Sequence, residues 1–213
     1  MIANIANIQM NTREQLIKHL EEGTKMLQIP GVKGAFEKID RADFVDPNYR
    51  EEAYEDYPLP IGFGQTISQP TTVAFVLQLL NIKPNHKILD VGSGSGYTTA
   101  LLASIADKGE VLGIEIISEL AEMGRENLAK YKFQNAKIEC RDARAEDLNN
   151  HGNFDRILVN ASAEEIPKNL IEILKPGGIM VIPIKRSVFK ISSRGDRGVE
   201  SAEYPGFAFV PLR

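Results

Sequence analysis

Residues 88–96 read Ile88-Leu89-Asp90-Val91-Gly92-Ser93-Gly94-Ser95-Gly96, an apolar run that breaks into three glycines spaced two apart. A buried strand that turns through glycines into a helix lets a ligand approach main-chain amides, because glycine adopts positive φ and has no Cβ in the way. Two acids follow at informative positions. Glu115 closes the next apolar run, 19 residues after Gly96, where an α/β sheet presents a carboxylate to the paired hydroxyls of a ribose. One carboxylate accepts both hydrogen bonds; the competing reading is an acid that caps the helix beginning at Ser118. Asp142 follows the third run, placed either to meet an adenine amino group or to serve as a surface turn acid. The pyrophosphate fingerprint G-x-G-x-x-G needs its last glycine at position 97, which is Tyr97. The ligand indicated is a nucleoside with a short amino-acid arm rather than NAD.

The elements that must hold these residues alternate in the sequence. Strands are predicted at 87–91, 110–115, 136–140, 154–159 and 179–184, with helices at 97–106, 118–131 and 166–174 between them. That order specifies an α/β, doubly wound, Rossmann-like parallel sheet. Two extended runs at 188–192 and 207–211 predict a C-terminal antiparallel hairpin at the sheet edge. Ahead of the core, helices are expected at 12–22 and 32–39, then an ordered, irregular segment at 46–64 rich in proline, glycine and tyrosine. A further helix starts at Pro70, with Ser68 or Gln69 at its mouth; on spacing alone, a serine there reads first as a helix cap. The expected organisation is an N-terminal helical, substrate-side extension over 1–83 and a ligand-binding core over 84–213, together one structural unit.

Composition narrows the classes of partner. With 25 Lys and Arg against 29 Asp and Glu the net charge is -4, so no broad basic surface is available to bind a phosphate backbone. The local cluster of Lys185, Arg186, Lys190, Arg194 and Arg197 reads as a solvated hairpin face. The single cysteine, Cys140, has no partner for an internal disulfide, which fits a reducing cytoplasm. The first fifteen residues lack the basic and apolar regions of a signal peptide, and no run approaches the ~20 apolar residues of a membrane span. His19, His86, His151 and Cys140 share no ligand spacing, so no metal site is expected.

Beyond these readings, the chain resembles the protein-L-isoaspartate (D-aspartate) O-methyltransferase family over most of its length. The resemblance is carried by EDYPLPIGFGQTISQPTTVA from Glu55, ILDVGSGSGYTTALLA from Ile88, LKPGGIMVIP from Leu174 and PGFAFVPL from Pro205. DVGSGSG is shared by many methyltransferases, whereas GQTISQP is specific to this family. The resemblance implies S-adenosyl-L-methionine as cofactor and S-adenosyl-L-homocysteine as product. It implies that Ser68 is the active-site serine and that Gln65, Thr66, Ile67 and Ser68 line the junction of cofactor and substrate. By the same matching Asp90, Gly92, Ser93, Gly94, Gly96, Glu115, Ile116, Asp142 and Ala143 fall at cofactor-binding positions. Two stretches depart from the family pattern: Arg141-Asp142-Ala143 replaces Gly-Asp-Gly, and residues 160–167 replace a segment of small residues ahead of a proline.

The reaction so implied is methyl esterification of L-isoaspartyl, and by extension D-aspartyl, carboxylates in damaged proteins, by a cytoplasmic monomer that uses neither nucleic acid nor membrane. The ester then closes without enzyme to a succinimide that reopens partly to aspartate. Such a transfer needs no strong base, since a carboxylic acid of pKa about 4 is already ionised at neutral pH. Alternatives are a methyltransferase of the same fold with another carboxylate or small-molecule acceptor, and a non-catalytic binding module.

Overall fold

The computed structural model describes residues 9–212. The start of the N-terminal segment tested for signal-peptide character, residues 1–8, and the final Arg213 lie outside them.

A seven-stranded sheet runs in the order β5-β4-β3-β6-β7-β8-β9. Its strands are β3 (Lys87–Val91), β4 (Glu110–Glu115), β5 (Ala136–Cys140), β6 (Phe154–Val159), β7 (Leu174–Ile184), β8 (Ser187–Ser193) and β9 (Val199–Pro205). β3 to β7 are parallel, β8 pairs antiparallel with β7, and β9 pairs antiparallel with β8. The chain leaves β3 toward β4 and β5 and returns to pair β6 on the other side of β3. The strand order therefore reverses between β3 and β6, and a crevice opens at the carboxyl ends of these two strands.

Helices α3 (Pro70–Leu80), α4 (Tyr97–Ile105) and α5 (Ser118–Ala129) cover one face. Among the described residues, the helical elements on the other face are α6 (Lys168–Glu172) and a 3-10 turn at Glu146–His151. Side chains of β3 alternate between the two cores, Ile88 to the first and Leu89 and Val91 to the second, as the two-residue strand period requires. α4 buries Tyr97 through Ala103, which explains an almost uninterrupted apolar sequence there. The first core continues without a break into the N-terminal helices α1 (Arg13–Lys18) and α2 (Pro30–Lys38) through Leu16, Ala35 and Phe36.

Three sequence expectations are corrected in detail. The hairpin partner of β8 is β9 at Val199–Pro205, not 207–211. β9 is an edge strand exposed almost throughout, so it carries no apolar alternation to read. The apolar character of 207–211 has another cause: Phe207 stacks on Phe75 of α3 at 5.1 Å, and Pro211 makes only an isolated bridge to Ser162. Within the irregular segment, β1 (Leu59–Gly62) and β2 (Gln65–Ile67) form a small antiparallel hairpin around Phe63. Pro58 and Pro60 had hidden it, since proline lowers the strand signal. β7 begins at Leu174 rather than 179, with a bulge opposite residues 154–156 of β6.

Candidate active site

The glycine turn after β3 is held by the neighbouring strand. Gly92 and Ser93 both donate their N–H to Ile114 O, at 2.9 and 3.0 Å. Gly92, Gly94 and Gly96 take φ of +74°, +52° and +91°, a region that side chains rarely adopt. Gly96 is also required sterically. A Cβ there would sit 2.9 Å from Gly124 O, where the turn rests on α5.

Two acids bracket the turn. Glu115, at the end of β4, accepts from Gly94 N and Ile117 N, both at 3.0 Å, so one carboxylate ties the glycine turn to the mouth of α5. Each oxygen retains acceptor capacity toward the crevice. Asp90 lies beneath, fully buried, and accepts from Thr98, Thr99 and Asn160 at 2.6–2.8 Å. Burial pushes its carboxyl up to about 6; these three hydrogen bonds oppose the rise, and nearby Glu115 adds to it. Asp90 thereby joins β3, α4 and the end of β6.

Facing the glycine turn is the segment from β2 to α3. Ser68 is half-buried, and it does not cap α3: the N-cap is Gln69, without a side-chain bond. The cap comes from elsewhere. Asp56 accepts from Thr71 N at 2.8 Å and Thr71 Oγ1 at 2.6 Å, and it also meets His19 Nε2 at 3.1 Å. The Ser68 carbonyl accepts from Nη1 of Arg41 at 2.6 Å. Arg41 is 1 % exposed, and burial lowers its pKa to about 10, which leaves it a cation at neutral pH.

These parts line one cleft. Its lining includes residues 91–95 and 114–117, Ile61 with residues 65–68, and Asn160, Ala161 and residues 210–212. The cleft thus brings Gln65, Thr66, Ile67 and Ser68 together with Gly92, Ser93, Gly94, Glu115 and Ile116. Ala143 joins them from the loop after β5. Asp90 and Gly96 support the wall from behind. Asp142 is turned aside: its carboxylate takes the guanidinium of Arg144 at 2.7–3.1 Å, and that hydrogen bonding holds it below the usual carboxylate range. Sequence reasoning did not single out Asn160 or Val210 as lining residues. The position of Asn160, directly after a strand beside the switch point, was the available signal.

The cleft fits a nucleoside with an amino-acid arm. It combines glycines held at positive φ, an acid with free lone pairs at the ribose position, and an exposed apolar Ile116 beside that acid. Among the described residues, no group of three or more His, Cys, Asp or Glu is placed to hold a metal ion.

Comparison with known proteins places these features in a group. A family model described as protein-L-isoaspartate(D-aspartate) O-methyltransferase matches residues 11–213. The protein-L-isoaspartate O-methyltransferase of Methanopyrus kandleri is 39% identical over 206 residues, covering 94% of this chain and 90% of the relative. That of Pyrococcus horikoshii is 37% identical over 214 residues, covering 95% and 96%. A Plasmodium falciparum crystal structure, described as a protein-L-isoaspartate O-methyltransferase in complex with S-adenosyl-L-homocysteine, superposes with a TM-score of 0.86. Its identity is 29%, with 96% of this chain and 99% of that chain covered.

Proposed function

We propose that this chain, which belongs to the protein-L-isoaspartate(D-aspartate) O-methyltransferase family, transfers a methyl group from S-adenosyl-L-methionine to L-isoaspartyl carboxylates of damaged proteins and so begins their repair. The observation that carries this reading is that the Ser68 turn and the glycine turn with Glu115 line one cleft. When bound, the cofactor supplies an electrophilic methyl on a sulfonium; S-adenosyl-L-homocysteine is the product. Its ribose hydroxyls fall to Glu115, its adenine to Ile116 and Ala143, with Asp142 beside them held on Arg144, and its amino-acid arm to residues 92–94 above Asp90. Gly96 shapes that turn, and Gln65, Thr66 and Ile67 separate cofactor from substrate.

The remaining work is positioning. The substrate carboxylate is the nucleophile and is already ionised at neutral pH. Ser68 Oγ donates a hydrogen bond to one carboxylate oxygen and leaves the other aimed at the methyl carbon. Holding reacting atoms roughly 3 Å apart supplies on the order of 7–11 kcal/mol of the barrier. The hydrophobic lining from Ile61, Ile67 and Val210 excludes water, which strengthens this orienting contact. Esterification replaces a carboxylate oxygen that cannot leave with a methoxy group; the neighbouring peptide nitrogen then attacks that carbonyl, its proton departs with the methoxide as methanol, and water reopens the succinimide.

In this reading residues 1–83 provide the substrate side and residues 84–213 the cofactor side of one unit. The protein acts as a cytoplasmic monomer on proteins and peptides, without nucleic acid. Net charge of -4 and an exposed free Cys140 support that setting. No helix among the described residues is long and apolar enough to cross a membrane.

The test is methyl transfer from labelled cofactor to two peptides identical except for L-isoaspartate or L-aspartate at one site. Base-labile label on the isoaspartyl peptide alone is the expected result. Cofactor binding with neither peptide labelled would leave the fold standing and remove the repair function.

A further inference from the structure

Arg41 sits in a short 3-10 turn, Arg41–Asp43, before the cleft-forming segments begin. Its side chain is almost completely buried, yet its hydrogen-bond partners are main-chain carbonyls: Ser68 O from Nη1 and, at 3.1 Å, Tyr57 O from Nη2. Nε has no partner. The Tyr97 ring lies 5.8 Å from the guanidinium carbon. Asp56, the acid that acts on it through space, is already committed to Thr71 and His19. A buried cation without a direct carboxylate partner is costly, and an apolar side chain of similar volume usually serves packing as well or better. What the guanidinium adds is control over the direction of the Ser68 carbonyl.

That direction fixes a donor. In a trans peptide the N–H points opposite to the C=O, so anchoring Ser68 C=O on Arg41 turns the Gln69 N–H away from Arg41. Ser68 lines the cleft and Arg41 lies behind it. The next residue, Pro70, has no N–H, and the N–H of Thr71 is taken by Asp56. The Gln69 N–H, for which no acceptor is seen among the described residues, is therefore a main-chain donor left for a ligand next to Ser68.

We infer that Arg41 is a positioning residue which, by gripping the Ser68 carbonyl, sets Ser68 Oγ and Gln69 N–H as a two-point cradle for the substrate carboxylate. The inference rests on the methyl-transfer reading above. It assigns Arg41 no contact with substrate or cofactor; its effect passes through Ser68.

The test compares wild type, Arg41→Met, Arg41→Lys, Ser68→Ala and the Arg41→Met/Ser68→Ala double variant. Measured are kcat and KM on the isoaspartyl peptide, S-adenosyl-L-homocysteine affinity by calorimetry, and Tm. Arg41→Met is expected to keep its fold and to bind S-adenosyl-L-homocysteine within about twofold of wild type, because the cofactor wall is untouched. Its kcat should fall about ten- to a hundredfold, the scale of loss when a reacting group shifts by ~1 Å. Arg41→Lys, which keeps the charge but not the two-carbonyl fork, should lie between the two. The double variant should lose clearly less than the product of the single losses, because once the hydroxyl is gone only the Gln69 donor remains for Arg41 to set.

Wild-type kcat in Arg41→Met, multiplicative losses in the double variant, or an equal loss of cofactor affinity would overturn the inference. Should Arg41→Met fail to fold, Arg41→Lys decides: reduced kcat at retained Tm supports the role, and wild-type kcat removes it. A wild-type protein inactive on the isoaspartyl peptide would instead sink the functional reading, and this inference with it.

Discussion

Replacing Asp90 by asparagine should stabilise the protein at neutral pH while weakening its function. Burial raises this carboxyl from its ordinary 3.8 to about 6, so the folded chain holds the proton more tightly than the unfolded chain. The stability it contributes is fully present below the unfolded value and is lost as pH rises through about 6. The gap corresponds to about 3 kcal/mol at 1.36 kcal/mol for each tenfold change, and about half of it develops between pH 5 and pH 7.5. Asparagine has nearly the same shape and no charge to desolvate. Its oxygen can still accept from Asn160, while the hydroxyls of Thr98 and Thr99 must turn so that one accepts from the new amide. That exchange costs about 1 kcal/mol at either pH. Urea unfolding at pH 5 and at 7.5 reads the difference. Asp90→Asn should gain on wild type by about 1–1.5 kcal/mol between the two pH values, together with weaker S-adenosyl-L-homocysteine binding. A stability difference that does not change with pH would refute the reasoning, because the carboxylate would then carry no desolvation penalty.

Ser68→Ala should lower kcat by about ten- to a hundredfold while S-adenosyl-L-homocysteine affinity stays within about twofold, since the hydroxyl serves the substrate; equal losses in both would reassign it to the cofactor. Glu115→Ala leaves Gly94 N and Ile117 N without their shared acceptor and removes the ribose contact. Calorimetry should show cofactor affinity reduced by about 2–3 kcal/mol, and unchanged affinity would count against the ribose role. Gly96→Ala places a Cβ 2.9 Å from Gly124 O at a φ of +91°. Thermal unfolding should show a loss of about 2–4 kcal/mol, and a wild-type Tm would mean that the turn and α5 separate more easily than their packing implies.

Much of the sheet was legible because its physics is local. In 87–91 and 110–115 each strand is buried on both faces, so its apolar run stands out, and glycine marks where it turns. β9 lacked any such signal because its side chains face solvent, and the segment 207–211 imitated a strand because its apolar residues pack on α3 and the cleft. Glu115 and the glycine turn could be placed from topology alone. Ser68 could not: a serine before proline looks like a cap, and only the distant Asp56 relieves it of that duty. Arg41 and Asn160 were silent for the same reason. Their partners lie 27 and 70 residues away in sequence, and one arginine in a charged stretch looks like any solvated cation.

The outermost strand gives the molecule a property suited to its clientele. β9 ends the sheet, so one line of its main-chain N–H and C=O groups faces outward, a template onto which another extended chain can add. The substrates are proteins and peptides, and an extended peptide is such a chain. β9 meets them with Glu200 and Glu203 along its length and Pro205 at its end, residues that discourage strand addition through charge, hydration and the loss of a donor. A protein that must handle frayed chains at its cleft thereby avoids gathering them at its edge.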